Sequence, residues 1–184
     1  MASVLMPLAE GFEELEAVSI IDVLRRAGIK VVVAGLQDGP VKGSRETVVV
    51  PDAPLDAVMS QDFNMVVLPG GMPGVKHLHE DARIKTLLDR YTQKDRYTAA
   101  ICAAPSILAA YGHLAGRNAT SNPKFRDQVA IDGVHYHEEA VVTDGNIVTS
   151  RGPGTSIDFA LALVEQLAGR AKRDEVESGL VRVR

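Results

Sequence analysis

The stretch Thr98-Ala99-Ala100-Ile101-Cys102-Ala103-Ala104-Pro105-Ser106-Ile107-Leu108 joins a strand-like run to a helix-like run at the only cysteine of the chain. Pro105 is typical of a first helical turn, where its missing N–H would have no partner. A sharp strand-to-helix turn that exposes a nucleophile needs small side chains on either side, and Ala100 and Ala104 supply them. The sulfur would then lie beside the positive end of a helix, which favours the thiolate and predicts a pKa well below the free-thiol value of about 8.5. The alternative is a small side chain buried in the core.

Outward from this turn, short apolar runs alternate with amphipathic runs along the whole chain. The predicted strands are residues 4–8, 30–36 and 65–68, a small hairpin over 41–50, and an Asp-Gly hairpin of 141–144 with 147–150. The predicted helices are residues 13–27, 81–94 and 155–168. Strands that alternate with helices predict an α/β fold with a mostly parallel sheet covered on both faces.

Two of the predicted helices carry more detailed expectations. Leu15, Val18, Ile21 and Leu24 stand near helical spacing in the first helix and are predicted to form its apolar face, with Gly28 as its end. In the last helix, Thr155 and Asp158 are spaced as in a capping box, and Gly169 is the expected end.

In a parallel sheet, functional sites lie where the strands end. Ligands bind at the carboxyl ends of the strands in such folds. Three unusual turns are expected at such ends: Ala9-Glu10-Gly11, Pro69-Gly70-Gly71 and Cys102 itself. The glycine-rich turn lacks the order of a nucleotide-binding loop. Its unobstructed backbone N–H groups would suit an oxyanion hole, although a simple tight turn is the alternative.

Three carboxylates open the first helix. Glu13 and Glu14 fit the ordinary complement of a helix N-terminus. Glu16 precedes Ala17-Val18 and is expected on the side that packs, where burial raises the pKa of a carboxyl. We therefore expect Glu16 to be protonated near neutral pH, to bond the Cys102 sulfur and to move protons.

The histidines are weak candidates for chemistry. His77/His79 and His135/His137 would each share a face on a strand, but two imidazoles without a dedicated carboxylate or cysteine do not predict a metal site. His137 and Glu139 form an H-x-E before the Asp-Gly hairpin, a place where a catalytic triad is not expected. No metal and no cofactor is predicted.

Composition sets the class of protein. The 184 residues predict one domain over 1–184, and 46% hydrophobic with 24% charged residues is typical of a soluble globular protein. A net charge of −4 does not indicate a nucleic-acid partner. The basic residues Arg170, Lys172, Arg173, Arg182 and Arg184 alternate with acidic ones and predict a solvated helix face. With one cysteine, no signal peptide and no apolar span, we expect a cytoplasmic protein without a membrane partner.

Four motifs together resemble the ThiJ/PfpI superfamily, and within it the branch of the parkinsonism-associated protein deglycase and its bacterial homologues. They are Ala9-Glu10-Gly11-Phe12-Glu13-Glu14-Leu15-Glu16, Val67-Leu68-Pro69-Gly70-Gly71, Ala99-Ala100-Ile101-Cys102-Ala103-Ala104-Pro105 and Thr149-Ser150-Arg151-Gly152-Pro153-Gly154-Thr155. The resemblance implies a flavodoxin-like three-layer sandwich with a cysteine nucleophile elbow, usually a homodimer.

The resemblance also implies roles for single residues. Cys102 would be the reactive thiolate and Glu16 the protonated carboxyl beside it. Gly70, Gly71 and Ala103 match the backbone donors of an anion pocket, and Arg26 and Arg45 match basic residues near the pocket and the dimer interface.

The chain departs from the family pattern at several positions. The protease-like branch has a histidine directly after the cysteine, where this chain has Ala103, so peptidase activity is not expected. Some relatives carry a histidine where this sequence reads Ser121-Asn122-Pro123. Gly43 and Val50 stand where a relative has further oxidisable cysteines, so any redox role rests on Cys102.

Two functions follow as hypotheses. The first is a cofactor-free enzyme, a protein deglycase or glutathione-independent glyoxalase, in which Cys102 attacks methylglyoxal, glyoxal or their early adducts on a glycated protein and yields hydroxy acids. The second is an oxidative-stress sensor or holdase chaperone that works through oxidation of Cys102 to a sulfinate.

Overall fold

The computed structural model describes residues 1–93 and 95–182. The strands are β1 (Ser3–Leu8), β2 (Lys30–Gly35), β3 (Val41–Lys42), β4 (Val48–Val49), β5 (Ala53–Pro54), β6 (Met65–Leu68), β7 (Tyr97–Ile101), β8 (Asn118–Ala119), β9 (His135–Tyr136), β10 (Val141–Asp144) and β11 (Ile147–Ser150). The helices are α1 (Glu14–Arg26), α2 (Gly74–Glu80), α3 (Ala82–Tyr91), α4 (Pro105–Ala110), α5 (Arg126–Val129), α6 (Ser156–Ala168) and α7 (Arg170–Gly179). Short 3₁₀ turns lie at Leu55–Val58, Pro123–Phe125 and Pro153–Thr155.

A seven-stranded sheet in the order β10-β11-β7-β6-β1-β2-β5 forms the centre of the molecule. All neighbouring strands are parallel except β10 and β11, which form the predicted Asp-Gly hairpin. The predicted hairpin over 41–50 is also confirmed, as the separate antiparallel pair β3 and β4. The sheet order brings the carboxyl ends of β1, β6 and β7 side by side.

Alternating side chains of each strand enter two apolar cores on opposite faces of the sheet. In β6, Val66 and Leu68 face the core that packs under α2, α3 and α4, whereas Met65 and Val67 face the core under α1, α6 and α7. This alternation is the period-2 pattern of a strand buried on both faces. The predicted flavodoxin-like three-layer α/β sandwich is thereby confirmed.

The first helix buries a different face from the one predicted. Leu15 and Val18 are 62% and 48% exposed, and the buried positions are Glu16, Ala17, Ile20, Val23 and Leu24. The expected apolar positions Leu15 and Val18 are therefore wrong, whereas the expectation that Glu16 faces the packing side is confirmed. Gly28 follows the helix end with φ +73, a left-handed conformation that favours glycine.

Two other helix predictions need correction. The predicted helix 81–94 corresponds to α3, which α2 precedes, and Lys94 lies outside the described residues. Thr155 does not cap α6, because its hydroxyl exchanges hydrogen bonds with Gly152 and Ser150 instead. Gly169 ends α6 as predicted, with φ +83.

The charged C-terminal helix is a solvated face, as predicted. Ion pairs along α7 join Arg170 to Asp174, Lys172 to Glu175 and Arg173 to Glu177. Arg184 of the predicted basic cluster lies outside the described residues. Among the helices of residues 1–93 and 95–182, none is long and apolar enough to cross a membrane.

Candidate active site

The turns that follow β1 and β6 pack directly on each other. The Glu13 N–H donates to the Gly70 carbonyl at 2.9 Å, and the Gly74 N–H donates to the Gly11 carbonyl at 3.3 Å. Gly71 has φ +94, and a Cβ there would lie 2.3 Å from the Glu13 nitrogen. Glycine is therefore required at position 71 both by backbone conformation and by space.

Cys102 forms the predicted strand-to-helix elbow. It follows β7 directly and has φ +66, a left-handed conformation that is uncommon outside glycine and asparagine. Pro105 begins α4, and Ala100 and Ala104 beside the turn are fully buried. The Cys102 N–H donates to the Ser150 carbonyl of β11 at 2.9 Å, and this bond holds the turn against the neighbouring strand. A strained residue held by its surroundings is typical of functional sites.

The Glu16 carboxyl lies beside the cysteine and is held in place by Gly70. Glu16 is fully buried, and its Oε2 accepts the Gly70 N–H at 2.7 Å. A Cβ on Gly70 would lie 2.6 Å from both the Cys102 Cβ and Glu16 Oε2. Within residues 1–93 and 95–182, Glu16 Oε1 has no hydrogen-bond partner. Gly70 thus leaves the space in which the acid and the thiol meet.

The two groups titrate as a coupled pair. Burial raises the pKa of Glu16 from 4.5 to about 7, against the lowering effect of the hydrogen bonds from Gly70 and Cys102. Burial, and then the charge and hydrogen bond of Glu16, raise the pKa of the Cys102 thiol to about 12. The carboxyl therefore loses its proton near pH 7, and the thiol keeps its own up to about pH 12.

The expectation of a low thiol pKa is wrong. Burial opposes a charge on the sulfur and is the main reason that the pKa of the thiol is raised, and the Glu16 carboxylate opposes a second negative charge beside its own. Two backbone N–H groups, those of Ala103 and Gly71, favour the thiolate.

The three predicted backbone donors face two different groups. The N–H groups of Gly71 and Ala103 favour a negative charge on the sulfur. The Gly70 N–H donates to Glu16 Oε2 instead. A common role of the three in an anion pocket stays a prediction. The arrangement combines a nucleophile, an acid–base group with a pKa near neutrality and two N–H donors, which suffices for addition to a carbonyl.

Neither predicted arginine makes a hydrogen bond to this pair. Arg26 pairs with Asp22 at 2.6 Å on the exposed side of α1. The Arg45 backbone N–H donates to Glu14 at 2.5 Å, and its guanidinium donates to the Ser44 carbonyl. A place near a dimer interface stays a prediction for both.

The histidines lie apart from the pair. His77 and His79 belong to α2 rather than to a strand, and the His77 Nδ1 lies 3.0 Å from the Glu10 carbonyl oxygen. His137 contacts Asn118 and Glu139, so the H-x-E forms a side-chain contact at the surface. Within the described ranges, no three His, Cys, Asp or Glu side chains are grouped to hold a metal ion.

Two further residues border the sulfur and were not predicted as site residues. A Cβ on Gly152 would lie 3.3 Å from Asn122 Nδ2 and 3.9 Å from Cys102 Sγ. The Asn122 N–H also donates to the Cys102 carbonyl at 2.9 Å. The strand-end rule could have found Gly152, which follows β11 by two residues.

Comparison with known proteins agrees with this geometry. The model of the DJ-1/PfpI family matches residues 2–166. The Drosophila melanogaster protein dj-1beta is 46% identical over 180 residues, which cover 97% of this chain and 96% of that protein. The crystal structure of Drosophila DJ-1beta superposes with a TM-score of 0.95 over 100% of this chain and 99% of its own, at 45% identity.

Two other relatives carry informative descriptions. A Caenorhabditis elegans protein named glutathione-independent glyoxalase DJR-1.2 is 37% identical over 95% of this chain and 92% of its own length. A structure described as oxidized Toxoplasma gondii DJ-1 has a TM-score of 0.94 and 37% identity, and the match covers both chains completely.

Proposed function

The chain belongs to the DJ-1/PfpI family, and from that premise we propose that it is a cofactor-free cysteine enzyme of the deglycase or glyoxalase type. Its substrates would be small vicinal dicarbonyls, such as methylglyoxal and glyoxal, or their early adducts on proteins. The observation that carries the proposal is the buried pair of Glu16 and Cys102, in which burial raises the pKa of the carboxyl to about 7. A carboxyl with that pKa can both accept and return a proton at neutral pH.

The proposed reaction begins with addition of the Cys102 thiol to the aldehyde carbon. A sulfur–carbon bond forms, the carbonyl π electrons move to oxygen, and that oxygen takes the proton of the pair. The N–H groups of Gly71 and Ala103 would support the negative charge on the oxygen as it develops.

Glu16 would then act on the resulting hemithioacetal. Its carboxylate removes the proton from the former aldehyde carbon, and the electron pair left behind gives an enediol once the second carbonyl oxygen takes a proton. Glu16 then returns a proton to the neighbouring carbon while the first oxygen loses its own, which leaves a thioester of a hydroxy acid. Water hydrolyses the thioester and restores the thiol. The net change for methylglyoxal is addition of one water to give lactate, which requires no oxidant, reductant or glutathione.

The test is production of lactate from methylglyoxal by the purified protein, followed by NMR in the absence of free thiols. Cys102→Ser should abolish lactate formation, and Glu16→Gln should still form the hemithioacetal but not convert it. The matched control is Cys102→Ser combined with Gln61→Cys, which places a thiol on an exposed residue. Lactate formation by that double variant, or undiminished turnover by Cys102→Ser, would contradict the mechanism.

A second candidate function is an oxidation sensor or holdase. The observation that favours it is the pair of N–H groups and the neighbouring carboxyl around one sulfur, which would also hold the oxygens of a sulfinate. The structure described as oxidized Toxoplasma gondii DJ-1 belongs to a relative with the same fold. Absence of turnover, together with suppression of client aggregation only after peroxide treatment, would favour this function over the enzyme.

We also propose that the protein is a homodimer joined through α1 and the β3–β4 hairpin. Leu15 and Val18 on α1 and Val48 and Val50 on the hairpin are exposed apolar side chains. Glu14 joins the two elements, because its carboxylate accepts the N–H groups of the hairpin turn. An exposed apolar patch of this kind is typical of a protein interface.

The oligomeric state can be measured by light scattering. Val18→Glu should convert the dimer to a monomer. The control is Ile131→Glu, which changes an exposed apolar side chain outside the patch and should leave the dimer intact. A wild-type protein that is monomeric at micromolar concentration would contradict the proposal.

A further inference from the structure

The orientation of the Asn122 side chain is fixed by its hydrogen bonds. Its Oδ1 accepts the Lys124 N–H at 3.0 Å and caps the 3₁₀ turn Pro123–Phe125. Since the backbone N–H can only donate, the oxygen of the amide must face Lys124 and the Nδ2 group must point away from it. The backbone N–H of Asn122 is held by the Cys102 carbonyl, so the residue is attached to the elbow itself.

The free end of the amide faces the same space as the sulfur. Both Nδ2 and Cys102 Sγ lie within 4 Å of the point that a Cβ on Gly152 would occupy. Gly152 has φ 161° and ψ −164°, an extended conformation that any residue can adopt. What the glycine provides is therefore space. Within residues 1–93 and 95–182, Nδ2 donates no hydrogen bond, so it can donate to a ligand.

We propose that Asn122 is a specificity-determining residue whose Nδ2–H binds the second carbonyl oxygen of a vicinal dicarbonyl while Cys102 adds to the first. The inference rests on the proposed function and refines its substrate class. The N–H groups of Gly71 and Ala103 favour a charge on the sulfur, and in the proposed reaction they would support the oxygen that forms on the attacked carbon. The neighbouring carbonyl needs a separate donor, and Nδ2 is a neutral one beside the space that Gly152 leaves open.

The prediction is a preference for dicarbonyls over simple aldehydes at the step of addition. A hydrogen bond between neutral groups changes an equilibrium constant by roughly tenfold. Methylglyoxal has the second oxygen, and propionaldehyde is a three-carbon aldehyde without it. Both form a hemithioacetal when the thiol adds across the aldehyde, with the sulfur bonded to carbon and the proton on oxygen.

The experiment measures the equilibrium constant for hemithioacetal formation at Cys102 by ¹³C NMR with labelled aldehydes. Asn122→Ser keeps an oxygen that can cap the turn at Lys124 but removes the amide donor. It should weaken the methylglyoxal adduct roughly tenfold and leave the propionaldehyde adduct unchanged. Asn122→Asp also keeps the cap and replaces the donor by an acceptor, so it should weaken the methylglyoxal adduct further.

Two controls separate this role from a structural one. Gly152→Ala fills the shared space and should weaken both adducts alike, whereas the Asn122 variants should change their ratio. Unfolding midpoints measured for each variant report any loss of the fold. An unchanged ratio in Asn122→Ser and Asn122→Asp would overturn the inference, even if lactate is formed. If lactate is not formed but the ratio changes as expected, the proposed function fails and the role of Asn122 in binding stands.

Discussion

Replacement of Glu16 by glutamine is expected to make the protein more stable than the wild type above pH 7. Burial raises the pKa of Glu16 from 4.5 to about 7, so the folded protein holds this proton more tightly than the unfolded chain does. The stability that this proton provides is complete below about pH 4.5 and is lost as the pH rises through about 7. At about 1.4 kcal/mol for each pKa unit, the loss amounts to about 3 kcal/mol. Glutamine can still accept the Gly70 N–H but cannot ionise.

The measurement is the free energy of unfolding in urea between pH 5 and 8, at one protein concentration because a dimer would depend on it. The free energy of unfolding of Glu16→Gln minus that of the wild type should be near zero at pH 5 and should rise toward about 3 kcal/mol at pH 8. Glu46→Gln is the control, since that side chain is 83% exposed. The difference in free energy of unfolding between this variant and the wild type should not change with pH. Cys102→Ala should move the loss of stability to higher pH, because it removes the Cys102 hydrogen bond that lowers the pKa of Glu16. A flat difference for Glu16→Gln would refute the reasoning.

Three further outcomes follow from the same contacts. Gly70→Ala should destabilise the protein by about 1–3 kcal/mol, because its methyl group would lie 2.6 Å from the Cys102 Cβ and Glu16 Oε2. Gly154→Ala is the control in thermal unfolding and should not destabilise the protein, because no atom lies within 4 Å of its methyl group. Tyr91→Phe should cost about 1–3 kcal/mol in urea unfolding, because the buried backbone N–H that its hydroxyl accepts at 2.9 Å would lose its partner. The iodoacetamide reactivity of Cys102 should have its midpoint well above the free-thiol value of about 8.5, because burial and then Glu16 raise the pKa of the thiol, and a midpoint near pH 7 would contradict this assignment.

The sheet and the elbow could be predicted because their sequence patterns depend on local geometry. Continuous apolar runs between amphipathic ones predict parallel strands, and the structure places them in that arrangement. The elbow at Cys102 was predictable because only small residues and a helix-starting proline fit around a left-handed residue at a strand end. The strand-end rule then predicted that the turns Ala9-Glu10-Gly11, Pro69-Gly70-Gly71 and Cys102 lie at one edge of the sheet, whereas Glu16 was expected from the packing side of the first helix.

The face of α1 could not be predicted from spacing alone. Leu15 and Val18 follow the apolar period as well as Ile20 and Leu24 do, and nothing in a single sequence separates a core face from an exposed one. The exposed pair is the reason that we propose a second copy of the chain as partner. Periodicity thus predicts that a surface is apolar but does not predict what covers it.

The roles of the backbone amides could be assigned only from the structure. Sequence places Gly70 and Gly71 in one turn, but only the structure shows that their N–H groups point to different atoms, the first to Glu16 and the second to the sulfur. The thiol pKa was mispredicted for a related reason. The helix start favours the thiolate, yet burial raises the pKa of the thiol, and the carboxyl that the fold places beside it, 86 positions earlier in the chain, raises it further.

This division of the amides has a chemical consequence. Because Gly70 donates to the carboxyl while Gly71 and Ala103 donate to the sulfur, each of the two groups has its own support for a negative charge. Above pH 7 the charge lies on Glu16, and transfer of the thiol proton to the carboxylate moves that charge to the sulfur, where the N–H groups of Gly71 and Ala103 favour it. An enzyme that adds a thiol to an aldehyde and then moves a proton between adjacent carbons needs that exchange twice in each cycle. A sensor needs the thiolate only once, so retention of proton transfer is the property that distinguishes the two functions, and Glu16→Gln is the variant that removes it.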